Sequence, residues 1–359
     1  MKFLEYMSFY SSYLEELYAS KPLLSSTPFQ NQMNVLEADA FSGGHLFAPA
    51  MKQHGYDNTF AVVNCKQAQN AWARENKIPT ELATRNQIIC NQIDTIRPDV
   101  LHIADPVALD PRLLNECSWK PKLVMAWRAA PIPDDADWSN VDLMISTLGV
   151  CREKAMKLGA RSVQKFSPAF PEFVAKKIAN EIKQWDVVFA GQVGTLHRKR
   201  QQLIQHLIGM PEFQSKNRSL RLYLANWTSV TFDDAKSFIK PAVWGMEMFR
   251  TLKKGRIVVN NHIDMADNMA SNMRIFETLG VGSFLLTEES DELAELFEPG
   301  VEVETYSCLS EMEDKIRYYL NHPEKREAIA KRGQVRCFRD HGLVARSQEL
   351  DLLIKNYLS

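Results

Sequence analysis

The sequence predicts an α/β protein built from two Rossmann-like, doubly wound domains in tandem. The chain has 359 residues, which is too long for one hydrophobic core and suits two domains. Short apolar segments alternate with longer segments of helical periodicity, as in parallel sheets covered by helices on both faces. The alternation begins at Met33 and begins again at Trp185, after a segment with Pro168 and Pro171 that we interpret as a linker over 165–184.

The N-terminal part is predicted to be a helix and linker over residues 1–32, followed by a first domain over 33–170. Residues 1–20 place apolar side chains near helical spacing, which indicates an amphipathic helix. The predicted strands of the first domain are Met33–Ala38, Thr59–Val63, Val100–Ala104, Leu123–Ala126 and Val141–Ser146. Its predicted helices are Leu46–His54, Gln67–Lys77 and Thr84–Arg97.

The second domain is predicted over residues 171–341, with a final helix over 342–359. Its predicted strands are Trp185–Ala190, Leu220–Ala225, Ile257–Asn260 and Ser283–Thr287. Its predicted helices are His197–Ile208, Trp244–Leu252, Asn272–Leu279, Ser290–Phe297, Leu309–Asn321 and Glu324–Asp340. Ligands of such sheets gather at the carboxyl ends of the strands, so the loops that follow the strands are where functional side chains are expected.

Composition excludes several classes of protein. Lys and Arg number 43 against 44 Asp and Glu, a balance that argues against nucleic acid as a partner. No apolar run reaches the 18 or so residues of a spanning helix, and the glutamates of the first residues do not fit a secretory signal. The six cysteines lack the close spacing of zinc or redox motifs. We expect a cytoplasmic protein, which a lipid-linked substrate could draw to the inner face of the membrane, and its oligomeric state stays open.

The loop Ser42-Gly43-Gly44-His45 is predicted to follow the first strand of the first domain. Paired glycines before a helix can expose backbone N–H groups to an anion. They can equally serve a turn that needs a positive φ angle. His45 would lie at the ligand-binding edge in this arrangement and is a candidate catalytic residue, or else a packed histidine.

Three further polar residues lie on or after predicted strands of the first domain. Asp105 ends a strand and could meet a ligand, whereas His102, inside that strand, is interpreted as a hydrogen-bonded core histidine. Arg128 follows the next strand and could attract a phosphate or carboxylate, or form an ordinary ion pair. The Asp-x-Asp pattern at 135–137 lies in a proline-rich loop and predicts a solvated acidic turn, so no metal is expected.

A basic cluster follows the first strand of the second domain. The loop and helix start contain Gly191, Gly194, His197, Arg198, Lys199 and Arg200. The helix dipole disfavours cations at a helix N-terminus, which suggests that an external anion offsets the cost; a solvated basic face is the rival interpretation.

A second polar cluster follows the strand at 257–260. Asn260 and His262 end this strand, and Asn272, Arg274 and Glu277 open the next helix. Asn272 is expected to cap that helix, and Glu277 lies one turn beyond Arg274. A capped helix with one ion pair would not explain so many polar side chains around one βαβ turn.

These residues carry a resemblance to a known family. The segment 245–334 resembles the C-terminal domain of glycosyltransferases related to the spore-maturation protein CgeB, which are relatives of the family-4 glycosyltransferases. The matching text is NNH at 260–262, NMRIFETLGVGSFLLT, LFEPGVEVETY, YYLNHPEKREAIAKRGQVR and His341 with Arg346. The loop GQVGTLHRKR is similar to the same family, and SGGH and RPDVLHIADP match more loosely.

The resemblance implies a GT-B architecture, in which two Rossmann-like domains face a central cleft and the final helix crosses back to the N-terminal domain. It implies a nucleoside-diphosphate sugar donor on the C-terminal domain, an acceptor on the N-terminal one, and neither metal nor other cofactor. Glu277 aligns with the second glutamate of the E-x7-E signature, and in that family this glutamate binds the donor ribose. We take Glu277 as the second candidate catalytic residue, beside His45. His197, Arg200 and Arg198 would face the diphosphate, with Arg274 and Asn272 close by and SGGH approaching from the other domain.

Two departures qualify the resemblance. The first glutamate of the signature falls at Met269, and Gly191-Gln192 replaces the usual Gly-Arg. The expected function is a metal-independent, retaining glycosyltransferase with a glycan, lipid-linked or protein acceptor, such as a cell-surface polysaccharide. The alternatives are a non-catalytic nucleotide-sugar-binding partner of an active transferase and, third, a nucleotide-sugar epimerase.

Overall fold

Two parallel sheets, each of six strands, form the framework of the protein. The structure is a computed structural model that describes residues 1–80, 83–194, 197–226, 235–262 and 272–359. The chain divides into two compact units. Unit 1 comprises Met1–Ser167 with Leu343–Ser359, and unit 2 comprises Pro168–Gly342.

The sheet of unit 1 has the strand order β2-β1-β3-β4-β5-β6. Its strands are β1 (Lys2–Met7), β2 (Asp57–Val62), β3 (Val100–Ile103), β4 (Leu123–Trp127), β5 (Leu143–Ser146) and β6 (Ser162–Lys165). Its α-helices are α1 (Ser11–Ser20), α2 (Phe29–Asp39), α3 (Ala48–Met51), α4 (Lys66–Glu75), α5 (Arg85–Ile96), α6 (Gly149–Lys157) and α15 (Leu343–Leu358). The last helix, α15, packs against α3 and β4, so it belongs to unit 1 although it follows unit 2 in the chain.

The start of unit 1 differs from the prediction in two elements. Residues 2–7 form a strand instead of the start of a helix, and this strand pairs with both β2 and β3 inside the sheet. Residues 33–38, predicted as the first strand, lie in α2. The helix is favoured because Phe29, Gln32, Met33 and Leu36 all lie on its buried face. Short apolar runs do not distinguish a buried strand from a helix, which explains both errors.

The sheet of unit 2 has the order β12-β11-β10-β7-β8-β9. Its strands are β7 (Trp185–Gln192), β8 (Leu220–Ala225), β9 (Ile239–Lys240), β10 (Gly255–Asn260), β11 (Phe284–Glu288) and β12 (Glu304–Tyr306). Its α-helices are α7 (Glu172–Lys177), α8 (Arg198–Gly209), α9 (Pro211–Gln214), α10 (Gly245–Lys254), α11 (Met273–Gly280), α12 (Leu293–Leu296), α13 (Leu309–Asn321) and α14 (Pro323–His341). The fold class predicted from the sequence, α/β with doubly wound parallel sheets, is confirmed.

Each sheet has one point at which the chain reverses its direction of progress across the strands. In unit 1 the chain runs outward from β1 to β2 and then returns to the other side of β1 with β3. In unit 2 it runs from β7 to β8 and β9 and then returns beside β7 with β10. Such switch points open a crevice at the carboxyl ends of the two strands and are the usual ligand sites of open α/β sheets.

Among the described residues, no helix is long and apolar enough to cross a bilayer.

The close packing of α14 leaves no room for a side chain at Gly333, which can be tested by substitution. A Cβ at this position would lie 2.2 Å from the backbone oxygen of Glu302 and 2.8 Å from Cδ2 of Leu279. The variant Gly333→Ala should therefore lose about 1–3 kcal/mol of unfolding free energy through overpacking. Gly209→Ala on α8 is the matched control, because nothing lies within 4 Å of its Cβ position. The control should be neutral or slightly stabilising in chemical denaturation, and equal stability of the two variants would contradict the packing assigned to α14.

Candidate functional site

At the switch point of unit 2, a buried arginine connects the ends of β7 and β10 with the first turn of α8. Arg200 donates from Nε to Oδ1 of Asn261 at 2.9 Å and from an Nη to the backbone oxygen of Gln192 at 2.8 Å. Its side chain lies over the ring of Phe189, and the residue is only 8% exposed. The guanidinium is therefore held in one place at the carboxyl edge of the sheet.

The asparagine at the start of α11 connects this helix to the end of β10. Asn272 Nδ2 donates to Asn260 Oδ1 at 3.2 Å and to the backbone oxygen of Asn261 at 2.9 Å. Asn272 occupies the N-cap position of α11, as expected, but its side chain makes no capping hydrogen bond. Its Oδ1 is buried and has no hydrogen-bond partner among the described residues. Asn260 is itself fixed by Thr287 and by the hydroxyl of Tyr306.

The geometry around His262 defines which ring nitrogen carries the proton. Nε2 lies 3.0 Å from the backbone oxygen of Glu288, and the backbone N–H of His262 donates to the Glu288 carboxylate at 3.2 Å. A carbonyl oxygen only accepts, so Nε2 donates and Nδ1 presents a lone pair. Burial lowers the pKa of His262, with the Glu288 carboxylate acting in the opposite direction. Nδ1 is thus a neutral, buried acceptor without a partner in the described part of the chain.

Arg274 and Glu277 form a partly enclosed ion pair on the first turns of α11. Arg274 donates from an Nη to Glu277 Oε2 at 2.7 Å and also contacts the sulfur of Met248. The two side chains are 18% and 7% exposed. Burial raises the pKa of Glu277, and the charge of Arg274 opposes that rise. The pair predicted from the i, i+3 spacing is therefore present.

The remaining residues of the basic loop surround the start of α8. The backbone N–H of His197 donates to the oxygen of Gly194 at 2.9 Å. Arg198 is exposed, and Lys199 Nζ lies 3.4 Å from the carboxylate of Glu288. A Cβ on Gly191 would make only ordinary contacts, at 3.4 Å from the Phe189 ring, so the protein itself does not require glycine there.

The glycine loop of unit 1 has a different context from the predicted one. Gly43, Gly44 and His45 form a 3-10 turn after helix α2, whereas the prediction placed them after a strand. The left-handed conformation in this turn belongs to Ser42, with φ of 56°, and neither glycine has a positive φ angle. The predicted strand before this loop and the positive φ of its glycines are therefore wrong, while binding of an anion by the loop stays a prediction.

For Asp105 and Arg128 the structure shows an ion pair. An Nη of Arg128 donates to Asp105 Oδ1 at 2.9 Å, and its Nε and other Nη donate to the backbone oxygen of Pro131. Asp105 also accepts backbone N–H bonds from Val107 and Ala108. The contacts of both side chains are thus made largely within the protein.

Sequence reasoning missed Asn261 and Glu288 in unit 2, although each lies beside a residue or strand that it did identify. The sequence signal that could have identified them is their position at the ends of β10 and β11.

Met269, which replaces the first signature glutamate, lies outside the described residues. Among the residues that are described, no group of three or more His, Cys, Asp or Glu side chains is arranged to hold a metal ion.

Comparison with known proteins supports the fold. Residues 198–351 match the model of a family described as glycosyl transferase-like. Among solved structures, Anabaena HepE in complex with UDP-glucose aligns with a TM-score of 0.59 at 11% identity, over 99% of this chain and 100% of that one. A glycosyltransferase from Rickettsia africae aligns at 0.58 and 9% identity, over 100% and 98% of the two chains. AviGT4, a glycosyltransferase of avilamycin A biosynthesis, aligns at 0.57 and 14% identity over 87% of each chain.

No curated protein matches the chain in sequence. At these identities the structural matches establish the fold, and the family match covers the second half of the chain only, from the start of α8 into α15. The protein therefore has the GT-B fold, and its residues 198–351 are similar to the family described as glycosyl transferase-like.

Proposed function

We propose that the protein is a metal-independent, retaining glycosyltransferase that moves a sugar from a nucleoside-diphosphate sugar to a glycan, lipid-linked or protein acceptor. The observation that carries the proposal is the cluster at the switch point of unit 2. There, a fixed guanidinium lies beside buried acceptors that have no partner among the described residues. The glycosyl transferase-like match includes α8 and α11, which hold this cluster. Because HepE was solved with UDP-glucose, we take a uridine diphosphate sugar as the donor to test first.

The diphosphate would bind at the N-terminus of α8. This helix has no acidic residue in its first turn, and Arg198, Lys199 and Arg200 occupy its first three positions. Backbone N–H groups at a helix start attract anions, and a guanidinium can bind phosphate with two parallel hydrogen bonds. An anion at this place would offset the unfavourable interaction of three cations with the helix dipole.

The hydroxyl groups of the ribose and the donor sugar would bind to the acceptors on β10 and α11. His262 Nδ1 and Asn272 Oδ1 are buried acceptors, and Glu277 presents a carboxylate. A hydroxyl that donates to such an atom removes the cost of burying it without a partner. The site therefore combines cations for the phosphates with acceptors for the hydroxyls, which are the two components of a nucleotide sugar.

In this proposal the protein supplies the leaving-group stabilisation that a metal provides elsewhere. As the bond between the anomeric carbon and the phosphate oxygen breaks, Arg200 and the α8 N–H groups would stabilise the growing negative charge. The acceptor oxygen would form its bond on the same face of the sugar, and its proton would pass to the departing phosphate oxygen. Configuration is then retained without a covalent intermediate on the protein.

One observation supports a second candidate function. Met269 stands where the related enzymes have the first signature glutamate, which contacts the donor sugar, so the protein could bind a nucleotide sugar without transferring it. It would then act as the partner or scaffold of an active transferase. Donor binding without hydrolysis or transfer in the presence of acceptor extracts would favour this alternative, and product formation without any acceptor would favour an epimerase.

Removing the fixed guanidinium should weaken donor binding. In Arg200→Ala the diphosphate loses a charge-assisted contact, so we expect a loss of affinity for UDP-glucose of about 2–3 kcal/mol, or about 30- to 150-fold, in calorimetry with EDTA present. Arg339→Ala, which removes an exposed arginine of α14, is the control and should bind as the wild type does. Equal affinity of the two variants would remove Arg200 from the donor site.

Glu277 provides a second test, which separates charge from shape. Glu277→Gln keeps the size of the side chain but loses the carboxylate that is proposed to accept two ribose hydroxyls, and should weaken UDP-glucose binding about tenfold. The same change should weaken binding of 2′,3′-dideoxyuridine diphosphate much less, because that ligand lacks both hydroxyls. If the two ligands lose affinity equally, Glu277 does not bind the ribose.

The affinity for the donor should fall at a lower pH than the titration of an ordinary histidine would produce. Burial lowers the pKa of His262, so Nδ1 is protonated, and lost as an acceptor, only at a lower pH than in an exposed histidine. The affinity for UDP-glucose, which has no phosphate titrating near neutrality, should change little from pH 8 to 7, and its midpoint of loss should lie below pH 6.5. A fall in affinity centred at or above pH 6.5 in the wild type, absent in His262→Asn, would contradict this assignment.

A further inference from the structure

Two cysteine side chains of unit 1 lie in contact although they are 27 residues apart in the chain. Cys90 is on α5, and Cys117 follows the 3-10 turn Pro111–Asn115, which packs against this helix. Their sulfur atoms are 2.6 Å apart, which is closer than the roughly 3.5–4.0 Å of ordinary non-bonded contacts. Because a disulfide has a sulfur separation of about 2.0 Å, the two atoms would have to approach by only about 0.6 Å to form one.

One backbone oxygen orients both thiols. The sulfur of Cys117 lies 3.5 Å from the oxygen of Leu113, and the sulfur of Cys90 lies 3.7 Å from the same atom. A carbonyl oxygen only accepts, so each thiol can donate its S–H to it. Both cysteines are free thiols in this structure. Their spacing in the sequence matches no redox motif, so it is the packing of the turn on α5 that brings the two sulfurs together.

The two thiols differ in their access to solvent. Cys117 is only 3% exposed, whereas Cys90 is partly exposed. A cavity of about 210 Å³ lies beside the pair, lined by Leu113 together with Arg85 and Asn86 at the start of α5. Hydrogen peroxide is little larger than a water molecule, which occupies about 30 Å³ in the liquid, so this cavity has room for it. A small oxidant would therefore meet Cys90 before Cys117.

We propose that Cys90 and Cys117 are a modification site, at which a peroxide converts the two thiols into an intrachain disulfide. The sulfur of Cys90 attacks one peroxide oxygen, the O–O bond breaks, and the products are the sulfenic acid of Cys90 and one water molecule. The sulfur of Cys117 then attacks the sulfur of Cys90, the S–OH bond breaks, and a second water molecule leaves. Two electrons pass from the sulfurs to the peroxide oxygens, and the two thiol protons end in the water molecules.

The disulfide would connect α5 with the segment before β4 and close a loop over residues 90–117. In a reducing compartment such bonds are transient, so we expect a thiol reductant to reverse the modification. The proposal is independent of the proposed function, because the two cysteines lie in unit 1 and contact no residue of the candidate donor site in unit 2.

The rate of oxidation should rise with pH. Burial raises the pKa of both Cys90 and Cys117, so the thiols are protonated at neutral pH, while the thiolate is the form that attacks a peroxide. Below the pKa of Cys90 the thiolate fraction, and with it the rate, should grow about tenfold from pH 7 to 8. A rate that does not change over this range would contradict a buried thiol as the attacking group. The other titratable and charged groups that face the pair are Tyr6, Asp94, Glu116 and Lys120.

The test is peptide mapping by mass spectrometry of the full chain carrying Cys308→Ser, after treatment with hydrogen peroxide at pH 8. This background removes an exposed thiol that could join two chains. Trypsin cuts after Arg112, so a disulfide between Cys90 and Cys117 joins two otherwise separate peptides. We expect this joined pair, its loss on treatment with dithiothreitol, and free thiols at the other cysteines. Free thiols at both positions, or sulfinic acid at Cys90 without the joined pair, would overturn the proposal.

Cys117→Ser in the same background tests the order of the two steps. Without the second thiol, the sulfenic acid of Cys90 should persist, and its labelling by dimedone should exceed that of the parent at least tenfold. Cys151→Ser is the matched control, because Cys151 is also a buried cysteine of unit 1 and should leave the disulfide and the labelling unchanged. Equal dimedone labelling of Cys90 in the parent and in Cys117→Ser would overturn the role of Cys117. If Cys117→Ser does not fold, the peptide map of the parent still decides the proposal.

Discussion

The fixed position of the Arg200 guanidinium is the constraint on which the candidate donor site depends. Burying a guanidinium is costly unless its donors are bonded, and the backbone oxygen of Gln192 and the side chain of Asn261 meet that need from two adjacent strands. Because these strands are β7 and β10, the same contacts connect the sheet at its switch point with the start of α8. Asn272 adds α11 to this arrangement through its bonds to the end of β10.

The switch points of the two units carry side chains of different kinds. In unit 2 the switch point carries cations at a helix start together with hydroxyl acceptors, which suits an anionic ligand that also has hydroxyls. In unit 1 the switch point carries a buried carboxylate, Glu5, whose oxygens are bonded to two backbone N–H groups and to His102.

The sequence predicted the second half of the chain well because its strands are bounded by glycine, asparagine and charged residues and its helices are long. Arg200, Asn260, Arg274 and Glu277 lie in predicted elements that the structure contains, and His262 and Asn272 lie within two residues of those elements, while the roles of all six remain predictions. The first half was harder. Lys2–Met7 contains a glutamate, and the spacing of its apolar residues also fits the first half of an amphipathic helix. Only the tertiary contacts show that Glu5 is hydrogen-bonded inside a sheet. Without β1, the prediction also lacked the switch point of unit 1, which lies between β1 and β3.

The central claim is that the protein binds a nucleoside-diphosphate sugar without a metal, and thermal unfolding in EDTA tests it most directly. Uridine, guanosine, adenosine and cytidine diphosphates and their sugars would be compared at a hundredfold excess over a micromolar dissociation constant. At that saturation a true ligand adds about 2.7 kcal/mol of unfolding free energy, which a thermal shift resolves. We expect the uridine compounds to raise the unfolding temperature equally with and without EDTA. A shift that disappears with EDTA, or no shift with any of the nucleotides, would contradict it.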